Sequence, residues 1–297
     1  MNRPAISVVL PTRNRAATLD RAVRSVLGQT WRDLELIVVD DGSSDDTRAV
    51  LNALRGEANL TVLHLGEGRG CAAARNVGVD TSRGHWLAFQ DSDDEWHPDH
   101  LAAAIATAAE AGADVVYGDL RRVARNGTET LSPAPEMRVG RLIDERRKDY
   151  QAEGIGIQSS LIQREALAEA GTFDERLGRY IDLDVFARLA LTRKFAKTGR
   201  ARVRYYAGPG ISTDRKALVD ARRLLMEKHA ARLGETPGHL AWQRLHLASA
   251  LAAHGQTRAA VAQAFRAWRA ASGKLSLREL ATALTGRRNW ANPRDGV

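Results

Sequence analysis

Four short runs of Val, Ile and Leu alternate with helical stripes through the first 90 residues, and this alternation constrains the fold more than any other feature. The runs are Ile6–Leu10, Leu34–Val39, Leu60–Leu65 and His85–Gln90. Short, nearly continuous apolar runs suit strands buried on both faces of a parallel sheet. Between the first two, Leu19, Ala22, Val23, Val26 and Leu27 fall on one face of a 3.6-residue helix. Val50, Leu51 and Leu54 repeat the pattern, and Ala72–Val79 supplies a third helix. The order βαβαβαβ predicts a doubly wound α/β sheet with right-handed crossovers. Ligands of such sheets bind at the carboxyl ends of the strands, so chemistry is expected in the loops that follow each one.

Beyond Asp91 the rhythm changes. Pro98 opens a helix reaching about Ala111, Val115–Tyr117 reads as a strand, and Asn126-Gly127 is a hairpin turn signal. Gln158–Ile162 reads as a strand, Arg164–Ala170 as a helix capped by Gly171, and Tyr180–Leu191 as a further helix. From Asp214 onward the pattern is helical throughout, with Gly255 and Gly273 bounding one helix and Ser276 with Glu279 at capping-box spacing for the next. The division expected is 1–212 for the α/β domain and 213–297 for a helical extension, with disorder from about Asn289.

Charge follows the same division. Of the net +8, residues 200–297 carry 18 Lys and Arg against 6 Asp and Glu, so the rest of the 297-residue chain leans acidic. A basic tail suits an anionic membrane surface, an anionic acceptor or nucleic acid, or is simply a solvated helical face. No apolar run approaches the roughly 20 residues that cross a bilayer, and the apolar stretch that breaks at Pro11 is too short for a secretory signal, so none is expected. The single Cys71 excludes an internal disulfide and fits a reducing compartment. A cytoplasmic location is expected, with peripheral contact at the inner membrane face.

Four strand-end loops carry the chemistry. In Pro11-Thr12-Arg13-Asn14, Pro11 is expected to end the strand and Asn14 to cap the next helix. Asp40-Asp41-Gly42-Ser43-Ser44 sets two carboxylates side by side, which turn and cap chemistry alone does not require; one of them can accept the imide N–H of a pyrimidine. Gly66-Glu67-Gly68-Arg69-Gly70-Cys71 superficially matches a dinucleotide fingerprint, but Cys71 stands where the third glycine belongs. Arg75, in the following helix, is placed to reach a phosphate or base, or to lie on the surface. The fourth loop, Asp91-Ser92-Asp93-Asp94, gathers three carboxylates beside a buried strand. Their mutual repulsion is relieved by a divalent cation, and oxygen-only ligands suit Mg²⁺ or Mn²⁺ with positions left for a diphosphate.

These segments, in the order SVVLPTRNRAATLDRAVRSVLGQT, ELIVVDDGSSDDT, GCAAARNVGV, GHWLAFQDSDDEW and REALAEAGTFDERLGRYIDLDVFARLAL, resemble a family 2 glycosyltransferase of the GT-A fold from Ile6 to about Ile211. The resemblance implies a Rossmann-like, mostly parallel sheet flanked by helices, and a helical extension beyond it. It implies that Asp41 contacts the base while Asp40 supports its loop, and that Pro11, Thr12, Asn14, Arg75, Asp91 and Asp94 complete the donor site. Asp91 and Asp93 correspond to the DXD motif, with Asp93 as metal ligand. Asp182 matches the carboxylate base of the inverting reaction. Two positions depart from the family pattern: Ile181 stands where Glu usually precedes the base, and Tyr205–Gly210 lacks the His often found near the donor phosphates.

The activity expected is transfer of a sugar from a nucleotide-diphosphate donor, UDP-sugar favoured, to a saccharide or lipid-linked hydroxyl in cell-surface polysaccharide synthesis, with a divalent cation as cofactor. A non-catalytic nucleotide-sugar-binding protein, a retaining transferase and a sugar-nucleotide pyrophosphorylase are the alternatives. No nucleic-acid partner is expected, and the oligomeric state is open.

Overall fold

The computed structural model describes residues 3–206, 214–236 and 238–286. The first seven elements alternate as the apolar pattern requires: β1 (Ile6–Thr12), α1 (Leu19–Leu27), β2 (Leu34–Asp40), α2 (Thr47–Ala53), β3 (Leu60–His64), α3 (Cys71–Thr81) and β4 (Trp86–Phe89). Then come β5 (Glu95–Trp96), α4 (His100–Ala111), β6 (Val115–Tyr117), β7 (Leu120–Val123), β8 (Glu129–Ser132), β9 (Ile143–Asp144), β10 (Asp149–Tyr150), β11 (Leu161–Gln163), α5 (Arg164–Ala170), α6 (Ile181–Leu189), β12 (Phe195–Lys197) and β13 (Val203–Tyr206). Helices α7 (Arg215–Lys228), α8 (Ala230–Glu235), α9 (His239–Ala253), α10 (Thr257–Ala270) and α11 (Leu277–Leu284) complete the described chain.

The chain divides into two compact units. The first comprises Met1–Gly140, Gly154–Glu175 and Arg188–Gly208. Its main sheet has the order β12-β6-β11-β4-β1-β2-β3, parallel except for β11, which runs antiparallel to both neighbours. Every residue of β1 and β2 is buried. Val8, Leu10, Leu36 and Val38 pack with Leu19, Val23 and Val26 of α1 and Leu101 of α4. Ile37 and Val39, pointing to the other face, pack against Ala74 of α3. Helices therefore cover both faces of a mostly parallel sheet, as the sequence implied. From β1 the order runs through β2 to β3 on one side and returns to β4 on the other, so the loops after β1 and β4 flank the switch point.

Two local expectations are corrected. Pro11 does not end β1: it pairs with Val39, and Thr12 with Asp40. Alternation explains the tolerance. The carbonyls of Leu10 and Thr12 face β2, whereas Pro11 turns its missing N–H toward β4, whose pairing with β1 has already ended at Val9. The segment from Gln158 is not wholly a strand either. Residues Ile157–Ser159 form a 3₁₀ turn, in which the Ser159 and Ser160 hydroxyls donate to the Gly156 and Ile157 carbonyls at 2.9 and 2.7 Å. Serine hydroxyls compete in this way with ladder hydrogen bonding, and β11 starts only at Leu161. The Asn126-Gly127 hairpin joins β7 to β8 in a smaller sheet ordered β5-β13-β7-β8, with Gly127 at φ 81°.

The second unit comprises Arg141–Glu153, Arg176–Ala187 and Pro209–Val297. Its helices pack around α9, whose Ala241, Leu245 and Ala248 meet Ala264 and Ala267 of α10 and Ala283 of α11. Ser276 and Glu279 form the expected capping box at the start of α11. The expected boundary at 212/213, the residues from Asn289 and positions 207–210 of the His-free stretch lie outside the described residues.

Candidate functional site

The loops after β1, β2 and β3 are tied together by side chains that fold each onto the next. Asn14 is in the left-handed region at φ 53°, which asparagine tolerates better than most residues. Contrary to the expectation from sequence it does not cap α1; Thr18 holds that position, without a side-chain cap. Instead Asn14 donates its N–H to Ser43 Oγ at 2.9 Å and accepts from Ser44 N at 2.8 Å through Oδ1. Arg15 N donates to Thr47 Oγ1 at 2.8 Å, adding a second tie. Thr12 is buried, and its hydroxyl makes no hydrogen bond among the described residues.

Asp40 and Asp41 divide their work. Asp40 is fully buried and accepts from Ser43 N at 2.9 Å, His64 Nδ1 at 3.0 Å and Arg48 Nε at 3.3 Å. Burial opposes its ionisation, but these donors outweigh burial and hold its carboxyl below the usual range. Asp41 accepts Arg69 N at 2.7 Å and Gly70 N at 2.9 Å, one on each oxygen, and so fastens the loop that leads into α3. Gly42, in the loop after β2 at φ 72°, lets the two loops approach closely: a Cβ there would lie 2.8 Å from Gly68 N.

The acidic loop follows β4. Asp91 accepts from Arg75 Nη2 at 2.8 Å, and Arg75 is itself buried, 5.6 Å from the Phe173 ring centroid. Arg75 thus reaches the acidic loop from α3. Asp93 is half-exposed, with Arg15 Nη2 3.3 Å from its carboxylate; Arg21 Nη2 donates to its backbone carbonyl at 2.6 Å. Asp94 is fully buried and accepts from Tyr206 N and Gln158 Nε2, both at 3.0 Å. Burial first, then the nearby Asp91 charge, push the Asp93 and Asp94 carboxyls above their usual range, Asp94 furthest. Arg15, Arg21 and Gln158 were not singled out from sequence. The cue for the two arginines is topological, since the strand reversal sets the β1 and β4 loops side by side.

Among the described residues no group of three or more His, Cys, Asp or Glu is placed to hold a metal. The fit of a divalent cation therefore rests on a smaller donor set. Asp93 is accessible, lies near a second carboxylate, and has its negative charge disfavoured by burial and by Asp91. One or two carboxylates with substrate phosphates are the usual ligands of Mg²⁺ in phosphate-handling sites. The residues present fit that pattern.

Asp182 belongs to the second unit, in the first turn of α6, half-buried, with Oδ1 accepting from Leu183 N at 2.9 Å. Ile181, Val185 and Leu189 are buried. Asp184 is fully buried, with Lys228 Nζ at 2.8 Å and His229 Nε2 at 3.5 Å. Just before the helix, Tyr180 is held at φ 59°. Its hydroxyl donates to Glu153 Oε1 at 3.2 Å and accepts from Arg222 Nη2 at 3.1 Å. Arg222 is buried and also lies 3.6 Å from Asp149 Oδ2, which faces His246 Nδ1 at 3.4 Å. Burial works against the Asp149 charge, but His246 and Arg222 outweigh it and hold the carboxyl low, whereas burial and the Asp149 charge push Glu153 up.

Residues 7–171 match the family model described as Glycosyl transferase family 2. Succinoglycan biosynthesis protein ExoO of Rhizobium meliloti is 31% identical over 182 residues, covering 59% of this chain and 52% of that protein. The putative teichuronic acid biosynthesis glycosyltransferase TuaG of Bacillus subtilis is 33% identical over 137 residues, covering 45% of this chain and 54% of TuaG. A Campylobacter jejuni protein, GalNAc(5)-diNAcBac-PP-undecaprenol beta-1,3-glucosyltransferase, is 36% identical over 114 residues, covering 38% and 37%. The chain thus spans about half the length of the first two relatives, 52% and 54%, and less of the third. Among solved structures, S. aureus TarS 1–349 in complex with UDP-GlcNAc superposes with a TM-score of 0.65 at 20% identity, covering 93% of this chain and 83% of that one. This likeness shows the fold, the GT-A arrangement.

Proposed function

The chain belongs to glycosyl transferase family 2, and on that premise we propose that it moves a sugar from a nucleoside-diphosphate donor, UDP-sugar favoured, to a hydroxyl of a saccharide or lipid-linked acceptor, inverting the anomeric carbon. The observation that carries this reading is the acidic loop after β4. Three carboxylates stand at the sheet's switch point, and burial, then the neighbouring Asp91 charge, hold two of them above their ordinary range even with Arg15 beside Asp93. A divalent cation would relieve that repulsion and leave coordination positions for the donor diphosphate.

In this reading Pro11, Thr12 and Asn14 line the nucleoside, with the unbonded Thr12 hydroxyl available to it. Asp41 uses its remaining lone pairs for the base N–H, since each oxygen has accepted one backbone donor. Arg75 fixes Asp91, and Asp94 supports the loop through Gln158 and Tyr206. Asp93 would hold the cation, Mn²⁺ or Mg²⁺, which would neutralise charge on the leaving diphosphate. Asp182 takes the proton of the acceptor hydroxyl as its oxygen bonds to the anomeric carbon, and the diphosphate departs with the electrons of the broken C–O bond. The name of the Campylobacter relative supports a lipid-linked acceptor, and the unbridged Cys71 is in keeping with a cytoplasmic enzyme.

Thermal denaturation tests the donor site. UDP and Mn²⁺ together raise the melting temperature more than either alone; ligand at 100 times its Kd adds about 2.7 kcal/mol. Asp93→Ala removes the manganese-dependent increment, and Asp41→Ala weakens the nucleotide-dependent one. Absence of a shift with every nucleoside diphosphate plus Mn²⁺ contradicts the assignment.

A further inference from the structure

Helix α10 is built inside out. Its buried face is Ala260, Ala264 and Ala267, packed on α9, while its large apolar side chains point to solvent. Val261 is 49% exposed, Phe265 57% and Trp268 42%, at i, i+4 and i+7 on one stripe. The Phe265 and Trp268 rings stack at 6.0 Å. Leu277, opening the adjacent α11, is 84% exposed. An amphipathic helix ordinarily turns its bulky apolar residues inward, so such a ridge marks a surface that is covered in use.

The charges beside the ridge select what covers it. Arg258, Arg266, Arg269, Lys274 and Arg278 are all exposed, and none forms a salt bridge among the described residues. Arg258 and Arg269 fall next to the stripe on the helical wheel. The only acidic residue from 255 to 286 is Glu279, already paired with Lys148. A second copy of the chain docked by a two-fold axis would set these cations against their own equivalents. An anionic bilayer complements both features, taking the aromatic ridge at the headgroup boundary and the cations at the phosphates. Among the described residues no helix is long and apolar enough to cross a membrane, so contact through this face is peripheral.

We propose that the outer face of α10, with the start of α11, docks the protein on an anionic lipid surface. The proposal is independent of the transfer reaction, because vesicle binding is measured without any sugar donor. The full chain is sedimented with vesicles of phosphatidylcholine alone or mixed with phosphatidylglycerol, at low and high salt. Wild type binds the mixed vesicles at low salt and is released by high salt. Each cation removed lowers partitioning about fivefold, so Arg258→Glu with Arg269→Glu lowers it by far more than tenfold. Phe265→Ser with Trp268→Ser lowers it at least tenfold, with an unchanged melting temperature because both side chains are exposed. Failure to bind mixed vesicles, equal binding to pure phosphatidylcholine, or full binding by the aromatic double variant overturns the proposal. A wild-type dimer in light scattering that this variant dissociates, without vesicle binding, assigns the face to self-association and overturns it too.

Discussion

Asp184 is fully buried, with Lys228 Nζ at 2.8 Å and His229 Nε2 at 3.5 Å, while Asp182, two residues earlier, is half-buried. Removing one partner of a buried ion pair costs about 3–5 kcal/mol, because the other charge is left uncompensated. Asp184→Asn is therefore expected to lower the melting temperature strongly, and Asp182→Asn to leave it nearly unchanged; equal stability of the two variants contradicts this account. The acidic loop makes a separate prediction about pH. Asp93 and Asp94 are raised in the folded protein, so protonation there favours the fold: that contribution is full below about 3.9, the ordinary Asp value, and is lost as pH rises through the raised values. A cation binds only the ionised loop. The stabilisation by Mn²⁺ with UDP is thus expected to grow with pH, its midpoint lying above the ordinary Asp value, and Asp93→Asn to flatten the dependence. A pH-independent shift in the wild type sinks this view of the loop.

At the level of elements, α11 offers a local test. Ser276 Oγ accepts from Glu279 N at 3.2 Å, and Glu279 Oε2 accepts from Ser276 N at 2.9 Å. Lys148 first, then Ser276, draw the Glu279 carboxyl down to about 2. Its stabilisation is present above the ordinary Glu value and is lost as pH falls toward that figure. Ser276→Ala is expected to cost about 1 kcal/mol in denaturant unfolding, and no measurable loss contradicts the cap. This box was readable from residues 276 and 279 alone, as were β1 to β4 and the Asn126-Gly127 hairpin, because each is specified by near neighbours in sequence. Elements set by distant partners were not. Nothing local in Asp149, Glu153 and Arg222 distinguishes a buried ionic network from solvated charge, and so the grouping of 141–153 and 176–187 with the tail helices was invisible. At the candidate site, three carboxylates in four residues announced the acidic loop, whereas its partners Arg15, Arg75 and Gln158 depend on strand order.

For the molecule as a whole, one sheet with a strand reversal accounts for the placing of Thr12, Asp41 and the acidic loop at strand ends, which the proposed function assigns to the donor. The second unit holds Asp182 beside a Tyr180 clamped by Arg222 and Glu153. The central claim is that these parts make a catalyst. Its most direct measurement is release of nucleoside diphosphate from a panel of UDP-, GDP- and dTDP-sugars in Mn²⁺, with saccharide and lipid-linked acceptors present, for wild type and Asp182→Asn. The account predicts manganese-dependent release by the wild type, UDP-sugars foremost. It predicts a fall of about 10²–10⁴-fold in Asp182→Asn with UDP and Mn²⁺ binding intact. Undiminished release by Asp182→Asn, or none by the wild type from any donor it binds, would contradict it.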